Sequence, residues 1–133
     1  MTQKFIIEGR LESLNKFIYE NRCGKYRGNH FKKEQQDKVK YYIGESDLKR
    51  IDDYPLKITF LFYENSKKRD LDNISGWAHK CVMDSLKEMG IIQNDGWKEI
   101  VGYSDYFYID KKHPRVEVIL ETVHKEESEP KQQ

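Results

Sequence analysis

Residues 73–89 carry a stripe of mostly apolar side chains at steps of three and four, and this stripe constrains the fold more than any other feature. Its members are Ile74, Trp77, Ala78, Cys81, Val82, Ser85, Leu86 and Met89. Side chains at these steps share one face of an α-helix, and such a face is stable only when it is buried. Gly90 follows at a position where glycine commonly ends a helix. The sequence therefore predicts a long helix packed on a core.

The rest of the chain alternates between strand-like and helix-like patterns. Residues 56–63 alternate in the way expected of a strand with one buried face. Further strands are predicted at 4–9, ended by Gly9, and at 100–109 and 115–122, and the last two could form an antiparallel pair. Helices are predicted after Ser13 and over 31–43, with a mobile loop at 21–29. This order predicts an α+β domain whose small, mostly antiparallel sheet is packed with helices.

Length and composition exclude several classes of protein. The chain has 133 residues, the length of one ordinary domain, which we place at 1–125, with a polar, disordered tail at 126–133. A hydrophobic content of 37% with 13% aromatic residues is too high for a disordered chain. No segment approaches the roughly 18 apolar residues of a membrane span. Cys23 and Cys81 lie far apart, which is typical of reduced thiols in a cytoplasmic protein.

The charge is unevenly distributed although the net charge is only +1. Residues 1–69 carry 16 Lys and Arg against 10 Asp and Glu, or +6, and residues 70–133 carry 8 against 13, or −5. The basic residues are densest between Arg22 and Lys40. A basic segment of this kind is compatible with nucleic-acid binding, and equally with a solvated helix face.

The strongest candidate site is the sequence Asp70-Leu71-Asp72. On an extended backbone, two carboxylates separated by one residue point the same way, while Leu71 would point into the core. Oxygen ligands of this kind suit a hard cation such as Mg²⁺. The alternative is that Asp72 is the N-cap of the following helix, where a carboxylate accepts backbone N–H groups.

Two further residues are candidates for the same site. Asp95 follows the predicted helix, and the chain could return there toward Asp72 to supply a third carboxylate. The alternative is a turn residue before Gly96. Lys80 could reach back over Gly76 and offset charge on a phosphate. The alternative is an ion pair with Asp84, one helical turn away.

Taken together, these residues resemble the RusA family of Holliday-junction resolvases of bacteria and phages. The resemblance rests on Arg69-Asp70-Leu71-Asp72-Asn73, Lys80, Asp84-Ser85-Leu86, Gly90 and Asn94-Asp95, and extends to the strand at Arg115-Val116-Glu117-Val118. One feature departs from the family pattern: the best-known members have the lysine closer to Asp-Asn, so that residues 74–79 would hold about one extra helical turn.

The resemblance implies a metal-dependent DNA endonuclease. It implies Mg²⁺, replaceable by Mn²⁺, bound by Asp70, Asp72 and Asp95, with Lys80 as the catalytic lysine and Asn73 as a supporting residue. It also implies a homodimer that cuts a branched DNA substrate, the four-way junction, by paired symmetric nicks. A metal-activated water would break each phosphodiester bond. The expected location is the cytoplasm of a bacterial cell or a phage-infected host. Ile6, Trp77, Trp97 and the final strands are the apolar surfaces available to the dimer.

Basic side chains would then contact DNA phosphates. These are Arg22, Lys25, Arg27, Lys32, Lys33, Lys67, Lys68 and Arg69, with Lys38 and Lys40 in the same basic segment. Two other functions stay open on the sequence alone. One is a nuclease on the same scaffold that prefers flaps or other branched DNA, and the other is a non-catalytic dimeric DNA-binding module.

Overall fold

The computed structural model describes residues 1–123, which form four strands and three helices. In chain order the elements are β1 (Thr2–Glu8), α1 (Leu14–Arg22), α2 (Lys25–Gly44), β2 (Leu56–Glu64), α3 (Leu71–Glu88), β3 (Ile100–Ile109) and β4 (Arg115–Thr122). The α+β class and every predicted strand are confirmed. The tail predicted at 126–133 lies outside the described residues.

The four strands form one mixed sheet in the order β1-β4-β2-β3. β4 pairs antiparallel with both β1 and β2, whereas β2 pairs parallel with β3. The predicted hairpin between β3 and β4 is therefore wrong, because β2 lies between them. The chain at 110–114 passes over the end of β2, where the amide of Asp110 donates to the carbonyl of Glu64 at 2.8 Å. β2 is central because alternate side chains along its whole length are buried.

The core lies on one face of this sheet. Phe5 pairs with Val118, which pairs with Phe60, and all three side chains are buried. The helices cover this face, and the ring of Trp77 on α3 is fully buried between two other rings. Its ring centroid lies 4.4 Å from that of Phe17 on α1 and 5.4 Å from that of Phe31 on α2. One indole ring therefore joins all three helices.

The mobile loop predicted at 21–29 is wrong, because only Cys23 and Gly24 separate α1 from α2. Gly24 makes this turn with φ 128° and ψ 162°, a conformation that essentially only glycine adopts. Beyond the turn, the guanidinium of Arg27 donates two hydrogen bonds to the Glu20 carboxylate, at 2.9 and 3.0 Å. These hydrogen bonds lower the pKa of Glu20. The polar and basic composition of the segment therefore serves a tight helical turn.

Within residues 1–123, no helix is both long enough and apolar enough to cross a membrane. Both cysteines are free thiols, as predicted, with Cys23 exposed and Cys81 buried. Burial raises the pKa of the Cys81 thiol to about 12.

Replacing Gly24 with alanine should lower the free energy of unfolding by about 1–3 kcal/mol, because the side chain forces the backbone into a strained conformation. Gly44→Ala is the matched control: Gly44 ends α2, has no positive φ, and an added Cβ would meet no atom within 4 Å. Urea unfolding of both variants checks this. Equal stability of the two would contradict the tight-turn assignment.

Candidate active site

The first candidate acids lie at the start of α3, but not on an extended strand. Asp70 occupies the N-cap position with φ −68° and ψ 152°, and Asp72 lies in the first helical turn. The extended Asp-x-Asp geometry predicted from the sequence is therefore wrong, and so is the prediction that Leu71 points into the core, since Leu71 is 56% exposed. Asp72 is not the N-cap either.

Both carboxylates are exposed, and neither has a partner among the described residues. The side chain of Asp70 makes no capping hydrogen bond, although it occupies the N-cap position. Neither Asp70 nor Asp72 forms an ion pair with any side chain within 1–123. Two acids at the positive end of a helix are favourably placed, and their oxygens remain available to a cation.

Asn73 supports this end of α3 by joining it to α1. Its side-chain oxygen accepts a hydrogen bond from the backbone amide of Asn15 at 2.8 Å, in the first turn of α1. Arg69 adds a second tie by donating to the carbonyl of Leu11 at 2.9 Å. The loop before α1 and the loop before α3 are therefore held together, and this fixes the position of Asp70.

Lys80 does not reach back toward these acids. Its ammonium lies 3.4 Å from the carboxylate of Asp84, one turn further along α3. Gly76 does not clear a path for Lys80. A Cβ at position 76 would lie 2.9 Å from Cδ2 of Leu14, which is too close. Gly76 thus permits the close approach of α1 to α3.

Asp95 lies beside the other end of α3. Its carboxylate is 3.5 Å from the ammonium of Lys87, which is itself 4.0 Å from Asp84. Asp84 is twelve residues beyond Asp72, or about 18 Å along a helix. Within residues 1–123, no three His, Cys, Asp or Glu side chains gather as a metal site would require. The return of Asp95 to the start of the helix, expected from the sequence, does not occur within one chain.

α3 and β3 run side by side in opposite directions. At the start of α3, Leu71 and Ile74 line an apolar pocket together with residues 107–109 at the end of β3. Near the start of β3, the ring of Tyr103 stacks on His79 of α3 with centroids 4.9 Å apart. Burial raises the pKa of Tyr103, with a smaller contribution from the negative charge of Asp95. The acids at the two ends of α3 therefore also lie at the two ends of β3.

Sequence reasoning missed a pair of titratable side chains between these ends. His79 Nε2 lies 2.7 Å from the carboxylate of Asp105 in β3, and both side chains are partly buried. The two residues are 26 positions apart and no motif connects them. Only the packing of α3 on β3 brings them together.

Residues 30–121 match the family model described as Endodeoxyribonuclease RusA, which is more than half of the chain. The chain belongs to the RusA family. The matched segment runs from α2 to β4 and includes all three candidate aspartates and Lys80. No curated protein gives a significant match. The family assignment makes the chain a DNA endonuclease. The exposed acids of α3 are therefore candidates for its active site.

The basic residues that the RusA resemblance assigns to DNA differ in whether their side chains already contact other residues of the chain. Arg27 is held by Glu20, Lys33 lies 2.8 Å from Asp37, Lys32 lies over the ring of Phe17, and Arg69 is mostly buried. By contrast, Arg22, Lys25, Lys67 and Lys68 form no ion pair with another described residue. Lys68 and Lys67 lie two and three residues before Asp70, in the loop that leads into α3.

Asn73→Ala should lower the free energy of unfolding by about 1 kcal/mol, because the amide of Asn15 loses its acceptor. Asn73→Asp keeps an acceptor oxygen and should retain most of the stability. Urea unfolding of the two variants measures the difference. If both variants lost the same stability, the hydrogen bond to α1 would not be what Asn73 contributes.

Proposed function

We propose that this chain is a Mg²⁺-dependent, structure-selective endonuclease that resolves Holliday junctions by paired symmetric nicks, acting as a homodimer. The observation that supports this most is the RusA match, which includes Asp70, Asp72 and Asp95. The exposed, unpartnered carboxylates at the start of α3 supply the oxygen ligands that Mg²⁺ prefers. Retention of all three acids also argues against a non-catalytic DNA-binding module.

The separation of Asp95 from the other two acids leads us to a site shared between two copies. β3 is an edge strand, and its outer edge is unpaired within the described residues. If two copies pair β3 antiparallel about a twofold axis, the start of one β3 lies beside the end of the other. Asp95 of the partner subunit would then lie at the same end of the assembly as Asp70 and Asp72.

A twofold assembly of this kind also suits the reaction. A four-way junction has symmetry-related strands, and paired nicks require two equivalent sites related by the same symmetry. Each site would consist of Asp70 and Asp72 from one copy and the partner's Asp95. A single chain would hold an incomplete set of ligands, so cleavage would depend on assembly.

The residues of the chain have distinct roles in this proposal. The three aspartates would hold the cation, and one of them would take a proton from the attacking water. Lys80 is paired with Asp84 and is given no role at these acids. Bound there, a divalent cation supplies Lewis-acid catalysis for phosphodiester hydrolysis. Lys67 and Lys68 bind the flanking phosphates, which makes binding sensitive to salt.

Asp72→Asn should lower the rate of Mg²⁺-dependent cleavage of a labelled synthetic four-way junction about 100-fold or more. Mutating even the outer-shell partners of metal ligands typically lowers activity or metal affinity 10–100-fold. Asp52→Asn is the matched control, because Asp52 is exposed and, among residues 1–123, pairs only with Arg50. Denaturing gels show whether the nicks are paired and symmetric. Absence of cleavage by folded wild-type protein would overturn the proposal, and cleavage of flaps alone would reassign the substrate.

Mixing two inactive variants tests whether the site is shared. In a heterodimer of Asp72→Asn and Asp95→Asn, one shared site carries both substitutions and the other carries neither. Random mixing should therefore restore about a quarter of the wild-type sites, seen as nicks in single strands. Sites contained within one chain would give no activity in the mixture, and that result would refute the shared site.

A further inference from the structure

Trp97 is the most exposed large apolar residue in the described chain. Its side chain is 101% exposed, beside Gly96 and just before β3. An indole ring buries about 150–250 Å² when it packs, so leaving it in water forgoes a large stabilisation. The ring contributes nothing to the core, which already contains Trp77. Within the described residues nothing covers the ring, which leaves it available to a partner.

The structure offers a matching apolar pocket at the far end of the same strand. This pocket has a volume of about 460 Å³ and lies between the start of α3 and the end of β3. Its apolar lining consists of Leu71, Ile74, Phe107, Tyr108 and Ile109. β3 separates the pocket from Trp97 by about 30 Å, given the rise per residue of a strand. The ring cannot fill the pocket of its own chain.

We propose that Trp97 of each copy inserts into this pocket of a second copy and anchors the dimer. The inference rests on the homodimer proposed above and adds its principal contact. When two β3 strands pair antiparallel, the start of one strand lies beside the end of the other. Trp97 lies in the turn just before β3, where the Gly96 carbonyl accepts from the amides of Glu99 and Ile100, so its ring would lie near the pocket at the end of the partner strand.

Exposed apolar side chains continue along the strand between Trp97 and the pocket. Val101, Tyr103, Tyr106, Tyr108 and Ile109 of β3 are each between 38% and 49% exposed. Because side chains alternate along a strand, they lie on both faces of β3, and a second copy paired on its edge would cover part of each face. A long exposed edge strand of this kind also pairs readily with another strand.

The charges around Trp97 are mixed, so the position is not a basic phosphate-binding surface. Asp95 and Glu99 lie two residues to either side, and Lys98 is next to the ring. At the pocket, Lys67 is part of the lining, and its ammonium has the opposite sign to Asp95. Insertion of Trp97 thus also carries Asp95 to the Asp70 end of the second copy, so that one contact both holds the dimer and completes its sites.

Sedimentation equilibrium without DNA or Mg²⁺ tests the anchor directly. Trp97→Ala should raise the dimer dissociation constant about 30-fold or more, the effect typical of a central aromatic anchor. Leu71→Glu, on the pocket side and 56% exposed, should weaken the dimer as well. Tyr41→Ala is the control, since Tyr41 is an aromatic residue of similar exposure on α2 and should leave the dimer unchanged.

Acrylamide quenching of wild-type fluorescence supplies a readout that needs no substitution. Because Trp77 is fully buried, the quenchable emission belongs to Trp97, and it should decrease as concentration rises through the dissociation constant. A dimer whose Trp97 stays fully quenchable would overturn the inference, as would a wild-type protein that remains monomeric at high concentration.

Two other results separate this inference from the proposed function. If Trp97→Ala stays dimeric but loses affinity for a four-way junction, Trp97 contacts DNA and the anchor is refuted. If wild-type protein is a dimer anchored by Trp97 but cuts no junction, the nuclease proposal fails while the anchor stands.

Discussion

The structure depends on the burial of one face of α3. Trp77 lies between Phe17 and Phe31, and the same helix face covers the buried strands of the sheet. Removing this contact would leave α1 and α2 without their common neighbour. Because the helix is rigid over its whole length, its packing also determines where the residues at its two ends can lie.

That rigidity explains how the candidate site is distributed. Asp70 and Asp72 sit at one end of α3, and Asp95 is held at the other end by Lys87. Asp84, which shares Lys87 with Asp95, lies about 18 Å along the helix from Asp72, and no rotation of a side chain spans such a distance. A twofold assembly along β3 would bring the acids together without any change in the fold, which makes dimerisation a condition of catalysis in the proposed mechanism rather than an addition to it.

Local patterns predicted the elements well and their arrangement less well. The periodicity of residues 73–89 and the alternation of 56–63 identified α3 and β2, because each pattern records which side chains are buried. The predicted hairpin of β3 and β4 was wrong because β2, whose alternate side chains are buried along its whole length, lies between the two strands. The prediction of a loop around Gly24 was wrong because glycine and basic residues are typical of loops. The contact between Glu20 and Arg27, which closes the turn, cannot be read from the sequence.

The sequence by itself determined the family and the α+β class and singled out the candidate acids, since these follow from residue types at short spacings. Only the tertiary structure decided that Asp72 is helical, that His79 meets Asp105, and that Asp95 lies far from Asp70. The reason is physical: spacing along the chain specifies local geometry. Distances between elements follow from how α3 and β3 bury their surfaces against each other, and this depends on the whole core.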